Sequence, residues 1–257
     1  MAVSLISILV MTLVAPIAMT SHSWSQQVIQ ERETKLYSPI RDALLAASII
    51  PDVLDDFTPT FPLLISYPST HTTVSLGSYL SPDAVRSQPV FEFHPFPFTP
   101  DPDPSPSLAP APQPDHPTKF YSIVLTDPDA KSRKHPIWSE MCHWVVSNIS
   151  SPGYSSFQGH IGRNSDSFIG TTLSYTLTAQ ILKSYLPPSP LICTGYHRYV
   201  FVLLEGDAAT ACNVSAPRER KHWGYGGVRL GVRNWAKEYG LEAVGATFFY
   251  AKAAEGE

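Results

Sequence analysis

FYSIVLTDPDAKSRKHPIWSEMCHWVVSNI, residues 120–149, decides how the rest of the chain is read. Two apolar runs, 121–126 and 144–149, predict buried strands, being rich in the β-branched and aromatic residues that suit a pleated, covered surface. The connection between them is polar and holds two carboxylates, Asp127 and Asp129, on either side of Pro128. Proline fixes its own φ and biases the preceding residue towards extended backbone, so both acids are expected at a strand end in defined directions. His143 enters at the start of the second run, and Cys142 before it is expected to point to the opposite face as a small buried hydrophobe. A second dense patch, GYHRYVFVLLEG at 195–206, places His197 at the mouth of another apolar strand, with Tyr199 two residues on. Two aspartates and two histidines at strand ends predict one small polar pocket above a hydrophobic sheet. An imidazolium beside a carboxylate keeps its charge and can donate to phosphate, carboxylate or sulfate oxygens.

DPDAKSR, then CHWVVSNI, then GYHRYVF, in that order, resembles the phosphatidylethanolamine-binding protein family, whose signatures run DPDxPSR, a histidine-bearing strand and GxHRYV. The similarity runs from about Pro51 to Tyr250, and IIPDVLDDF and VGATFFYAK look most like fungal members. The resemblance implies a mainly β (α+β) fold with a large antiparallel sheet, a smaller sheet and flanking helices, in a single domain over 26–252. It also implies an anion-accepting pocket lined by Asp127, Pro128, Asp129, His143, His197 and Tyr199, without cofactor or metal. Arg133 is expected as a structural partner of one aspartate.

The pattern departs from the family in three places. Pro190 to His197 lacks the second proline and first glycine of the family's PPxG(T/S)GxH, which predicts a more apolar rim. Phe249 stands where animal relatives carry tyrosine, and Tyr250 points the other way. Lys131 adds a charge beside the mouth. The resemblance implies three kinds of role: a binding module for a small anionic or phosphorylated ligand such as a phospholipid head group; an inhibitor or regulator of a serine carboxypeptidase or kinase; and an accessory in fungal secondary metabolism. In the last, related members assist dimerisation of maleic-anhydride polyketide units, and the guest would be a polyketide-derived carboxylate or anhydride. For a catalytic version, His143 or His197 is the candidate general base with an aspartate orienting it. No serine or cysteine stands in a recognisable activating context.

Composition sets the remaining bounds. With 257 residues, 43% hydrophobic and 16% charged, the chain is globular. A net charge of −4 and the lack of a sustained basic run give no reason to expect nucleic acid. Cys142, Cys193 and Cys212 match no zinc spacing and allow at most one disulfide.

Residues 1–18 are almost wholly apolar and have no charged side chain, which predicts a secretory signal peptide ending near Pro16-Ile17-Ala18. A signal anchor or an apolar helix packed on the domain are the alternatives. The secreted route makes Asn213 and Asn148 glycosylation candidates, with peripheral membrane contact or none. A helix is expected over 26–50, ended by Pro51, then short strands at 63–67, 72–76 and 90–93. Residues 94–117, with proline at nearly every second or third position, predict an extended surface insertion. Periodicity leaves 171–179 open between strand and helix. A helix over 228–239 closed by Gly240 and a strand over 246–251 complete the reading.

Overall fold

The computed structural model describes residues 39–93, 119–150, 157–159, 179–207, 210 and 213–254. All of them fall in the unit Tyr37–Glu257. The predicted signal peptide, the proline-rich insertion, the undecided segment 171–178 and Cys212 lie outside the described residues.

Among the described residues, ten strands form two sheets. A four-stranded sheet has the order β2-β1-β4-β7, from Thr72–Val74, Leu63–Tyr67, Val90–Phe93 and Phe157–Gly159. A six-stranded sheet has the order β3-β10-β9-β5-β6-β8, from Ser78–Tyr79, Glu242–Ala251, His197–Asp207, Lys119–Asp127, Met141–Ser150 and Gln180–Lys183. Every neighbouring pair is antiparallel except β3 with β10. The expected larger and smaller sheets are thus present. Helices described in full are α1 over 39–46, the short turn α2 (Ile49–Asp52) and α3 (Val232–Glu238).

The expected helix over 26–50 stops before Pro51. Its turns break at Ala47 and Ser48, where Ser48 takes a φ of 56° that no α-helix continues. The part before residue 39 lies outside the described residues. Near the C-terminus, α3 starts four residues later than its pattern suggested, and Gly240 ends it with a φ of 62°.

The central strand β9 is covered on both sides, so its sequence is a continuous apolar run. Tyr199, Phe201 and Leu203 enter a core between the two sheets, among Phe91, Phe93, Trp144 and Phe249. Val200, Val202 and Leu204 face the other way, towards Trp223, Val232 and Trp235 around α3. Strand alternation therefore sends His197 to the inter-sheet face and Arg198 to the helix face. Burying each such aliphatic or aromatic side chain contributes about 1.5–3 kcal/mol. Large-to-small changes along β9 are the changes that would dismantle the frame holding the site.

Candidate functional site

The inter-sheet core ends, at the β5/β6/β9 strand mouths, in a cavity of about 140 Å³. Asp127 closes β5 and His197 opens β9, and their side chains meet: His197 Nδ1 donates to Asp127 Oδ2 at 2.9 Å. The other Asp127 oxygen accepts the Asp129 amide at 2.7 Å, an Asx-type turn over Pro128. Asp127 is therefore fixed from both sides.

The second ring nitrogen of His197 lies 2.9 Å from Thr194 Oγ1. That hydroxyl also sits 2.7 Å from the Leu191 carbonyl oxygen, which can only accept. With the Thr194 proton on Leu191, His197 Nε2 carries a proton and donates to Thr194. That arrangement has both ring nitrogens protonated, the imidazolium form. Burial opposes that charge, but the hydrogen bond and charge of Asp127, helped by Asp129, outweigh it and raise the His197 pKa.

His143 reaches the same cavity by a different device. Leu125 pairs with Trp144 and the next residue, Thr126, pairs with Cys142, which leaves His143 as the extra residue of a β-bulge. A bulge re-aims a side chain. His143 and Trp144 both turn towards the inter-sheet side, where the His143 ring meets Tyr199 edge-on at 5.3 Å, while Cys142 packs in the opposite core. His143 Nδ1 donates to the Leu186 carbonyl at 2.7 Å. Burial lowers its pKa more than nearby Asp127 raises it, so this imidazole is neutral and its Nε2 is the nitrogen left to meet a guest. Burial first, then Asp127, pushes the Tyr199 pKa far up, so its hydroxyl keeps its proton. Lys131 and Trp138 stand at the mouth, with the Lys131 ammonium 4.4 Å from the indole centroid and that of Lys221 4.3 Å from it. The rim is apolar, as the altered approach to His197 suggested: Leu191 and Ile192 are 53% and 70% exposed.

Asp127, His143, His197 and Tyr199 converge on the cavity. Pro128 and Asp129 do not line it. Asp129 instead takes two donors of a buried guanidinium, from Arg198 Nη2 at 2.6 Å and Nε at 2.9 Å, and accepts the Arg198 amide. Arg198 continues to the Ala47 and Ser48 carbonyls and to Asp52 at 3.0 Å. This corrects the expected partner: Arg133 reaches the Ala47 carbonyl, at 3.3 Å, and Arg198 answers Asp129. Phe249 is stacked on Tyr199 at 5.3 Å beneath the cavity, and Tyr250 faces away to stack on Tyr79.

Sequence reasoning also missed Glu140. It is fully buried, accepts the Gly231 and Val232 amides at 3.0 and 3.3 Å, and accepts the Thr126 hydroxyl at 3.2 Å. Burial pushes its carboxyl up to about 7 despite those donors. Its signal in the sequence is a carboxylate at the foot of a strand, three residues before His143, facing a glycine at 231 where any Cβ would fall 2.5 Å from it.

The model of the phosphatidylethanolamine-binding protein family matches residues 74–249. The chain belongs to this family. Among curated relatives, the carboxypeptidase Y inhibitor of Saccharomyces cerevisiae is 32% identical over 214 residues, covering 82% of this chain and 94% of the inhibitor. Protein TERMINAL FLOWER 1 of Arabidopsis thaliana is 29% identical over 212 residues, covering 82% and 90%. Among solved structures, the carboxypeptidase Y inhibitor complexed with its cognate proteinase superposes with a TM-score of 0.65 at 29% identity, covering 84% of this chain and 96% of that one. The phosphatidylethanolamine-binding protein from Plasmodium vivax gives 0.60 at 21% identity, over 82% and 96%. The fungal likeness of the sequence thus has a fungal relative behind it.

Proposed function

We propose that the cavity is a binding site for a small oxyanion, a phosphate monoester or a carboxylate. The observation that carries this reading is the chain of contacts along Asp127, His197, Thr194 and Leu191, which suits a positive imidazolium on the wall of a cavity that a second, neutral histidine also lines. An anion entering there takes over the His197 Nε2 proton from Thr194 and accepts from the Tyr199 hydroxyl. His143 Nε2 accepts a hydrogen bond from a protonated guest oxygen, or picks up a proton as the anion arrives. At about 140 Å³ the space suits a head group and not a whole lipid.

Calorimetric titration with inorganic phosphate at pH 6.5 tests the reading. Binding with net proton uptake is expected, weakening as pH rises through the raised His197 pKa; no heat at millimolar phosphate defeats it.

A second reading, inhibition of a serine carboxypeptidase, is supported by the yeast relative's description and by the likeness to the inhibitor in complex with its proteinase. An assay of carboxypeptidase Y at micromolar concentrations of this protein decides it. No named relative is described by polyketide chemistry, and the dimerisation role is not carried further. The secretory route suggested by residues 1–18 fits an exposed Asn213, whose occupancy a glycosidase-sensitive mass shift would reveal.

A further inference from the structure

A second, larger groove of about 590 Å³ lies beside the cavity, and the two share Ser189 and Pro190 as a common wall. The strand register explains their closeness. His197 pairs with Ala251 on β10, Tyr250 pairs with Tyr79 on edge strand β3, and Lys252 follows directly, so the groove sits at the same sheet end as the histidine. Its wall is aromatic. Tyr79 meets Tyr196 edge-on at 4.9 Å and is two-thirds exposed, at 66%; Tyr196 is 44% exposed. The Lys252 ammonium stands 5.4 Å from the Tyr196 ring. The carboxylate in its lining, Asp83, is paired with Arg86 at 2.5 Å. Large aromatic side chains left in water at the lip of an anion cavity form a surface that an apolar guest would cover.

We propose that this tyrosine groove is a second subsite of the same binding site, holding the aromatic or apolar tail of a ligand whose anionic head occupies the His143/His197 cavity. The proposal rests on the oxyanion reading for the head and adds the tail. The preferred ligand class is accordingly an aryl- or alkyl-bearing phosphate or carboxylate, with a linker crossing the Ser189–Pro190 wall. The small cavity has no room for such a tail, and the groove adjoins it and is of ligand size.

Three titrants separate the possibilities: inorganic phosphate, phenylpropyl phosphate and phenylbutyrate. The account expects phenylpropyl phosphate to bind at least about tenfold tighter than phosphate, equivalent to about 1.4 kcal/mol. Tyr196→Ala and Tyr79→Ala should each remove most of that gain and leave inorganic phosphate affinity unchanged. Both side chains are exposed, and thermal melts of the two variants establish that they fold. Phenylbutyrate shows whether a carboxylate head serves equally. Equal affinities for phosphate and its phenylpropyl ester, or a gain that persists in both tyrosine variants, overturn the groove while leaving the head site intact. Loss of phosphate binding itself defeats the oxyanion reading. If phenylpropyl phosphate then also fails to bind, both fall; if it binds through the tyrosines alone, the groove stands without the head site.

Discussion

Asp127 and Asp129 lie two residues apart and each pairs with a cation from the start of β9, yet the two pairs differ in kind. Asp127 holds His197 on the inter-sheet face, at a cavity wall, through a single hydrogen bond. Asp129 holds Arg198 on the helix face, through a two-pronged contact completed by the Ala47 and Ser48 carbonyls and Asp52. One cation can lose its proton near neutral pH and the other cannot. The alternation of one strand thus separates a titratable, guest-facing pair from a permanently charged one that ties the β5 exit and the end of α1 to the sheet.

The first way to break the comparison is to remove the permanent pair. Arg198→Met leaves Asp129 buried without its cation, which costs about 3–5 kcal/mol, and Asp129→Asn costs less because Arg198 keeps Asp52. Urea unfolding should show the larger loss in Arg198→Met, and a loss there below about 1 kcal/mol would mean that the two pairs do not differ as described. Asp127→Asn should be milder, at about 1–2 kcal/mol, because a hydrogen bond weakens and no permanent charge is stranded. Its main effect should be on binding. The His197 pKa falls without its carboxylate, so phosphate affinity near pH 7 should drop at least about tenfold and recover in part at lower pH.

The pH dependence of stability sharpens the contrast. Glu140 has a folded pKa of about 7 against an ordinary 4.5, so between those values the folded state binds more protons than the unfolded one. Stability should therefore fall as pH rises from 4.5 to 7, by up to about 3 kcal/mol, and Glu140→Gln should flatten that slope. His197, with its pKa raised above 6.5, adds stability that is full below that value and is lost as pH rises through its folded pKa. His143, with its pKa lowered, contributes in the opposite sense, losing stability as pH falls below 6.5. Thermal melts from pH 4.5 to 8 on the native chain and on Glu140→Gln separate these contributions. The smallest expected effect belongs to Lys131→Ala, which should weaken phosphate binding by about 0.5 kcal/mol and reduce its salt dependence.

How much of this was readable beforehand follows from where each signal is stored. The strands at 63–67 and 90–93 and the β5, β6 and β9 runs announce themselves by residue type, because covered strands need such side chains. Meeting of Asp127 with His197 follows once both lie at the mouths of neighbouring strands. The division of labour between the aspartates does not, because it depends on which face each side chain leaves. Arg198 stood in plain view as a charge inside an apolar run, and such a charge demands a buried carboxylate. Glu140 was hidden because its donors come from 231 and 232, on a distant turn. The His143 bulge depends on register between two strands, and Thr194 as the His197 acceptor depends on a three-residue turn. Neither leaves a pattern in residue type. The early end of α1 turns on the left-handed Ser48, a tertiary choice that overrides the helical pattern.

The claim on which the rest depends is that one site histidine is charged and the other neutral. Nitrogen-detected NMR of the imidazole rings at pH 6.5 tests it without any ligand. The account predicts a doubly protonated His197 and a neutral His143 carrying its proton on Nδ1. A neutral His197, or two rings titrating together, would contradict it.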